Sequence, residues 1–237
     1  MRTVLITGVG SGLGKALMHT FLKKGYRVLG ICRSDLNSNQ KELQIFKADL
    51  GDPLQVQRLA EQIPWGSVDL LVNNAGYSMA GSFMELSQED IHGISQVNYL
   101  TPLKLMKDYL TGRPSGGMIV NISSMTALIP MPRNGAYSAA KGALSISTEI
   151  LRRELNDSWK IIEVCPVTIA TPFHQKMGSA SKTSGALHLD PEQLSERIVV
   201  RCESGVSGGY FPDLVSKILG LCSMRLGFLL SRILFRK

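Results

Sequence analysis

Tyr137 and Lys141 stand four positions apart in a segment of helical pattern, and a hydroxyl residue, Ser124, precedes them. Residues four apart lie on one face of a helix, so these two side chains are within reach of each other. A tyrosine hydroxyl has a pKa of about 10, and a nearby ammonium stabilises the phenolate and lowers that pKa. The pair therefore predicts a general acid/base, with Ser124 or its neighbour Ser123 donating a hydrogen bond to a substrate carbonyl.

The elements that must position these residues follow a repeating pattern of short apolar strands and amphipathic helices. We predict strands at Thr3–Thr7, Tyr26–Cys32, Gln44–Ala48, Asp69–Val72, Met118–Ile122 and Ile161–Cys165, and helices at Gly12–Lys24, Pro53–Ile63, Ser87–Leu110, Gly135–Asn156 and Pro191–Arg201. Asp52 is the expected N-cap of the second helix, and Ser87 with Asp90 forms the expected capping box of the third. This alternation indicates an α/β doubly wound parallel sheet, a Rossmann fold with helices on both faces, in which ligands bind at the carboxyl ends of the strands.

Length and composition fit one globular domain, because the chain has 237 residues of which 44% are hydrophobic. The four cysteines lie far apart without a CxxC pair, so we expect reduced thiols and no metal site. The net charge is +7, but the basic residues are dispersed, which argues against nucleic-acid binding. A strand that begins at Thr3 leaves no room for a signal peptide, and no apolar run is long enough for an ordinary membrane span. A cytoplasmic protein is therefore expected.

The first predicted strand runs directly into a glycine-rich turn, TGVGSGLG. Glycines let the backbone approach a pyrophosphate, and the following helix N-terminus favours its negative charge. The turn fits neither GxGxxG nor GxxxxGK[ST], but it does fit TGxxxGxG. The cofactor contacts predicted from this turn are Thr7, Gly8, Ser11, Gly12, Leu13 and Gly14.

The second predicted strand ends at Arg33 without an acidic residue at its tip. In dinucleotide sites an acid at this place holds the ribose 2′-hydroxyl of NAD, whereas arginine accommodates the 2′-phosphate of NADP. Asp35 comes too late, in a predicted loop. We therefore expect NADP(H) as the preferred cofactor with NAD(H) as the second choice, the alternative being that Arg33 is a solvated loop charge.

Together, the glycine turn, the Asn-Asn-Ala-Gly sequence after the fourth strand and the Ser124, Tyr137 and Lys141 set resemble the compact form of the short-chain dehydrogenase/reductase family. The resemblance covers roughly residues 1–175. It implies that Ser124 orients the carbonyl, that Tyr137 exchanges the proton, and that Lys141 binds the nicotinamide ribose and tunes Tyr137. It also implies that Asn98 holds a water of the proton relay, although a helix-bending structural amide is the alternative. The further cofactor contacts that it implies are Asp49, Leu50, Asn73, Asn74, Ala75, Gly76, Pro166 and Thr171.

Three features depart from the family pattern. Val167 replaces the glycine that usually follows Pro166, and a β-branched residue is costly if the backbone there has a positive φ. The Gly208-Gly209-Tyr210 segment is a poor match for the closing strand of many relatives. The tail over residues 214–237 is apolar with interspersed basic residues, so as a helix it would either lie in a membrane interface or pack on its own domain or on a second subunit.

The leading hypothesis is an NADP(H)-dependent oxidoreductase that acts on a small carbonyl/alcohol substrate, apolar or lipid-derived if the tail contacts a membrane. Residues 1–213 would form the domain, with a substrate lid over about 172–190 in which His174 and Lys176 face either an acidic substrate or solvent. A homodimer or homotetramer, assembled through the two long helices, is implied by the resemblance. The alternatives are a non-catalytic NADP-binding regulator or scaffold, and a sugar epimerase or dehydratase, for which too few residues follow Thr171.

Overall fold

The computed structural model describes residues 1–36, 40–129, 131–170 and 188–213. In this part of the chain the strands are β1 (Thr3–Thr7), β2 (Arg27–Cys32), β3 (Leu43–Lys47), β4 (Leu70–Asn73), β5 (Gly117–Ile122), β6 (Trp159–Val164), β7 (Thr168–Ile169), β8 (His188–Leu189) and β9 (Gly208–Tyr210). The helices are α1 (Gly12–Lys23), α2 (Pro53–Gln62), α3 (Gln88–Ser95), α4 (Thr101–Gly112), α5 (Gly135–Glu154) and α6 (Pro191–Glu203). The predicted elements are confirmed, with ends that differ by a few residues.

The main sheet contains seven parallel strands in the order β3-β2-β1-β4-β5-β6-β9. Alternate side chains of each strand enter opposite cores, as the pleat of a strand requires. On β1, Val4 and Ile6 pack in the core that includes residues of α1 and α6, whereas Leu5 packs in the core that includes residues of α2, α4 and α5. The predicted doubly wound Rossmann fold with helices on both faces is confirmed.

The order in which successive strands are added to the sheet reverses between β1 and β4: β2 and β3 extend the sheet on one side of β1, and β4, β5 and β6 extend it on the other. β1 pairs with β2 on one side and with β4 on the other, so the loops that leave β1 and β4 turn to opposite faces of the sheet. In open α/β sheets a ligand crevice forms at this switch point, outside the carboxyl ends of the strands.

The third predicted helix is interrupted, which the sequence pattern did not indicate. Its start is confirmed, because Ser87 and Asp90 form the capping box. Between α3 and α4, however, Gln96–Leu100 forms a π-helical turn. Such turns insert one residue into a helix and often occur at functional sites. Asp52 caps α2 as predicted and accepts from the backbone N–H of Leu54 at 2.9 Å.

The judgement that Gly208-Gly209-Tyr210 matches a closing strand poorly is wrong. These residues form β9, which pairs in parallel with β6 from Ile162 and Gly208 to Val164 and Tyr210. The strand contains three residues, two of them glycine, so it lacks the apolar pattern by which strands are predicted.

Several expectations concern residues outside the described part, namely most of the lid over 172–190 and the whole tail over 214–237. Within the described residues, no helix is both long and apolar enough to cross a membrane. Cys32, Cys165 and Cys202 are free and buried as expected.

Candidate active site

The glycine turn brings backbone unusually close to backbone at the start of α1. Gly8 and Gly12 have positive φ angles of 76° and 54°, which side chains on other residues rarely allow. A Cβ atom on Gly14 would lie only 2.1 Å from the carbonyl oxygen of Gly8. Ser11 occupies the N-cap position of α1 without a side-chain cap, and Leu13 and Gly14 belong to the first turn. The N-terminus of α1 is therefore left open to an anion.

Thr7 joins this turn to the loop that follows β4. Its hydroxyl oxygen accepts from the backbone N–H groups of Asn74 and Ala75, both at 2.9 Å. The side-chain amide of Asn74 donates in return to the carbonyl oxygen of Thr7 at 2.9 Å. The two loops that flank the switch point are thus held together by hydrogen bonds through one threonine.

At the tip of β2, Arg33 is exposed and makes no hydrogen bond or ion pair with another residue of the described ranges. Asp35, the nearest acid, is occupied by Lys47, whose ammonium lies 2.6 Å from the carboxylate. The thiol of Cys32 donates to the carbonyl oxygen of Ser34. The charge that β2 presents to the crevice is therefore positive.

Asp49 and Leu50 follow β3, at the same edge of the sheet. The carboxylate of Asp49 accepts from the backbone N–H of Gly51 at 2.9 Å, so it also has the turn role that its type predicts. Leu50 is buried, and its carbonyl oxygen accepts from the Thr101 hydroxyl at 2.8 Å.

Asn98 lies inside the π-helical turn and is fully buried. Its amide nitrogen donates to the carbonyl oxygens of Ile94 and Tyr77, at 2.9 and 2.8 Å. Its amide oxygen has no hydrogen-bond partner within the described part of the chain. Asn98 therefore stabilises the π-helical turn through its amide nitrogen, and its amide oxygen can accept from a donor such as water. A structural role and a water-holding role are compatible in this residue.

Gly76 is the point where three of the predicted site residues meet. A Cβ atom on Gly76 would lie 2.6 Å from the amide oxygen of Asn98 and 3.6 Å from the ammonium nitrogen of Lys141. The loop after β4, the π-helical turn and α5 therefore converge at this glycine.

Ser124 rather than Ser123 is the hydroxyl that contacts Tyr137. The Ser124 oxygen accepts from the backbone N–H and from the hydroxyl of Thr126, at 3.2 and 3.1 Å, which leaves its own proton for Tyr137. A hydrogen bond joins the Ser124 and Tyr137 side chains. Ser123 is buried, and its side chain interacts with the Cys165 thiol instead.

The sequence predicted that Lys141 lowers the pKa of Tyr137. In the structure, the pKa of Tyr137 is raised instead, and Lys141 does not contribute to the shift. Burial raises the pKa of Tyr137 to about 12, and only the hydrogen bond from Ser124 opposes this shift. The Lys141 ammonium donates to the carbonyl oxygen of Ile122 at 2.8 Å and stays 5.8 Å from the centre of the Tyr137 ring. Burial in turn lowers the pKa of Lys141 to about 8.

Val167 does not have the positive φ that would make a β-branched residue costly after Pro166. Among the described residues, Arg133 is the one non-glycine residue with a positive φ. Val167 packs beside Ile129 and Cys165 instead, and the Pro166 carbonyl oxygen accepts from the backbone N–H of Met125. Thr171, His174 and Lys176 lie outside the described residues.

Similarity to known proteins identifies the family of the chain. A family model described as short chain dehydrogenase matches residues 2–182. The chain belongs to the short-chain dehydrogenase/reductase family. An uncharacterized oxidoreductase of Schizosaccharomyces pombe is 32% identical over 177 residues, which cover 72% of this chain but only 59% of that protein. L-xylulose reductase of Homo sapiens is 30% identical over 183 residues, which cover 73% of this chain and 74% of the reductase.

A solved short-chain dehydrogenase from Sphingobium yanoikuyae, in complex with NADPH, has the same fold with a TM-score of 0.82. It is 21% identical, and the match covers 98% of this chain and 96% of that one. Membership in the short-chain dehydrogenase/reductase family thus agrees with the observed sheet order and with the placement of the motifs.

Two residues near the site were not singled out from the sequence. The carbonyl oxygen of Tyr77 anchors the amide of Asn98, a backbone role that residue type does not reveal. Glu163 is a buried carboxyl residue at the second-to-last position of β6. It was visible in the sequence as the one charged residue of the predicted strand Ile161–Cys165. Within the described residues, no group of three His, Cys, Asp or Glu side chains is arranged to hold a metal ion.

Proposed function

We propose that this member of the short-chain dehydrogenase/reductase family is an NADP(H)-dependent oxidoreductase that acts on a carbonyl/alcohol pair. The observation that carries the proposal is the meeting of Ser124, Tyr137 and Lys141 beside Gly76, at the carboxyl end of the sheet. A protein that only bound the cofactor would not require a hydroxyl pair hydrogen-bonded to each other next to a buried lysine.

The crevice fits a dinucleotide. The N-terminus of α1 has no side-chain cap and suits a pyrophosphate, and the glycine turn in front of it presents backbone rather than side chains. The unpartnered amide oxygen of Asn98 marks a second polar position deeper in the site. The cofactor, when bound, supplies or accepts the hydride. The residues proposed to hold it are those of the glycine turn, Arg33, Asp49, Leu50, Asn74, Ala75, Gly76, Tyr137, Lys141, Pro166 and Thr171.

Arg33 supports NADP(H) over NAD(H). Its guanidinium is free of ion pairs within the described ranges, and the nearest acid, Asp35, is neutralised by Lys47. An arginine at this strand tip suits the ribose 2′-phosphate. Solved structures of this fold contain NADPH in one case and NADH in another, so the proposed preference rests on Arg33.

Tyr137 is suited to the role of acid. Because burial raises its pKa to about 12, the phenol carries its proton at neutral pH and can donate it to a carbonyl oxygen. Ser124 donates to the same oxygen and shares the charge that develops on it. The Lys141 ammonium lies 5.8 Å from the centre of the Tyr137 ring.

Two exposed apolar side chains close to the start of α5 support an apolar substrate. Phe83 is 66% exposed, and the next residue, Met84, is 94% exposed. Phe83 packs beside Gly135, two positions before Tyr137, since a Cβ atom on that glycine would lie 2.5 Å from the Phe83 ring. Exposed apolar residues grouped near a site indicate that it binds apolar groups.

A second apolar surface supports a homodimer. Leu100 of the π-helical turn, Leu103 of α4, and Ile146 and Ile150 of α5 are 46%, 37%, 49% and 47% exposed. Apolar surface on two neighbouring long helices is typical of an interface between subunits.

The decisive experiment follows NADPH oxidation with ketones and aldehydes of increasing apolar size, with a ketose as the polar member. We expect turnover that improves with apolar size. The Tyr137→Phe variant should bind NADPH with unchanged affinity and lose about 10²–10⁴-fold in kcat, which is the usual contribution of a positioned proton donor. NADPH binding without turnover on any substrate would support the non-catalytic regulator instead, and full activity of Tyr137→Phe would refute the role given to this tyrosine.

A further inference from the structure

A row of polar side chains crosses the sheet directly behind the active site. Asn73 of β4 is in register with Asn121 of β5, which is in register with Glu163 of β6. All three are buried, with exposed fractions of 2%, 0% and 8%. Side chains paired in register on neighbouring strands point to the same face, and Asn121 faces α5, where its amide nitrogen donates to the hydroxyl of Thr148 at 2.8 Å.

The row is hydrogen-bonded between its two asparagines and open at both ends, because the amide oxygen of Asn73 is also buried without a partner among the described residues. The Asn73 amide nitrogen donates to the Asn121 amide oxygen at 2.8 Å. At the far end, one carboxylate oxygen of Glu163 is buried without a hydrogen-bond partner among the described residues. On β9 the residue in register with Glu163 is Gly209, which has no side chain to offer it. A buried carboxylate without full hydrogen bonding is costly unless a nearby positive charge compensates it.

Lys141 supplies a positive charge close to this open end. Its ammonium donates to the carbonyl oxygen of Ile122, and Ile122 is in register with Val164, the residue directly after Glu163. The ammonium is therefore bound at the residue that directly follows the row on β5, which is roughly 3.3 Å further along the strand. Glu163 also interacts electrostatically with Lys141 and favours its charged form.

The other titratable groups on the elements around Lys141 are Tyr77, Tyr99, Tyr137 and Cys165, with Arg152 further along α5. Tyrosines are neutral near pH 7. Cys165 favours the charged form of Lys141 only as a thiolate, and burial raises the pKa of this thiol well above its usual value, so it is uncharged near neutral pH. Glu163 is therefore the anion that acts on Lys141 within the described part of the chain.

We propose that Glu163 is a positioning residue that holds the Lys141 ammonium charged and in place at the end of β5, from behind the catalytic residues. The proposal rests on the proposed function, since it assigns Glu163 to the support of that same site. Glu163 touches neither Tyr137 nor Ser124, and it acts on the reaction only through Lys141.

The first test compares the pH dependence of kcat/KM for ketone reduction in the wild type and in Glu163→Gln. Lys141 loses its charge as the pH rises through its pKa, about 8 in the structure, so activity should fall on the alkaline side. Removal of the carboxylate removes an interaction that raises this pKa, and the alkaline limb should move to lower pH by on the order of one unit. The rate at alkaline pH should then fall about tenfold below that of the wild type.

Two control variants separate this effect from structural ones. Glu149→Gln removes another carboxylate, which pairs with Arg152 and Arg153, and should leave the limb in place. Cys165→Ala removes the rival thiol, which is also hydrogen-bonded to Glu163, so the limb should move less in this variant than in Glu163→Gln. A limb that stays in place in Glu163→Gln, or that moves further in Cys165→Ala, overturns the proposal.

A second measurement does not depend on enzymatic turnover, and it does not require the Glu163→Gln variant to fold. The side-chain carboxyl resonance of Glu163 is followed by carbon-13 nuclear magnetic resonance at neutral pH in the wild type and in Lys141→Met. Loss of the nearby ammonium should move this resonance, and a resonance that does not move overturns the proposal. If the wild type reduces no carbonyl compound, the proposed function fails, whereas this comparison still decides whether Glu163 and Lys141 are coupled.

Discussion

Replacing Thr7 by valine tests the contact that joins the two loops of the proposed cofactor crevice. Valine keeps the shape of the side chain but removes the oxygen that accepts from the backbone N–H groups of Asn74 and Ala75. A buried donor without a partner costs about 1–3 kcal/mol. Because both donors are only half-buried, we take the lower limit for each and expect a loss of about 2 kcal/mol in the free energy of unfolding. For a chain of this size that loss lowers the Tm by about 4–8 °C.

Thermal unfolding followed by circular dichroism measures the Tm, and fluorescence titration measures NADPH binding. We expect NADPH to bind about tenfold more weakly, a difference of about 1.4 kcal/mol, since Ala75 and Asn74 are proposed contacts. The matched control is Thr3→Val on the same strand. Thr3 is equally buried at 7% exposure, and its hydroxyl makes no hydrogen bond to another described residue. If Thr7→Val lowers the Tm no more than Thr3→Val does, the two loops are not joined through this hydroxyl.

Two further predictions follow from exposed side chains. Arg33→Ser should raise the KM for NADPH about tenfold and leave the KM for NADH unchanged, because the lost charge serves only the 2′-phosphate. Steady-state kinetics with both cofactors checks this, and an equal change for both would contradict it. Ile146→Glu places a charge on the apolar surface of α5 and should convert a dimer into a monomer in sedimentation velocity. Lys104→Glu, on a residue that pairs with Asp108, is the control and should leave the dimer intact.

Much of the fold could be predicted because strand and helix patterns alternate so regularly. The glycine turn, the motif after β4 and the pair Tyr137 and Lys141 each lie at the carboxyl end of the sheet or on the helix beside it, as the pattern indicated. β9 could not be predicted, because two glycines in three residues give no apolar alternation and its pairing depends on β6. The sequence pattern also did not reveal the π-helical turn, since inserting one residue leaves the surrounding helical pattern almost unchanged.

The electrostatics of the site depended on burial, which sequence spacing does not give. The four-residue spacing predicted an ammonium acting on the Tyr137 hydroxyl, but the ammonium of Lys141 turns to the carbonyl oxygen of Ile122 instead. The choice between Ser123 and Ser124 likewise required the direction in which each side chain leaves β5. Glu163 was visible as a charge in an apolar strand, but its place in a polar row depends on the register of three strands.

The strand order also bears on how the chain folds while it is being synthesised. β1, β2 and β3 are consecutive in sequence and adjacent in the sheet, so they can pair as soon as residues 1–47 have left the ribosome. The other edge of β1 pairs with β4, which begins only at Leu70. Until β4 has been synthesised, the N–H and C=O groups on this edge of β1 stay unpaired and exposed. The centre of the finished sheet, beside the proposed cofactor crevice, is thus a free edge of the nascent protein and is exposed to aggregation until β4 pairs with it.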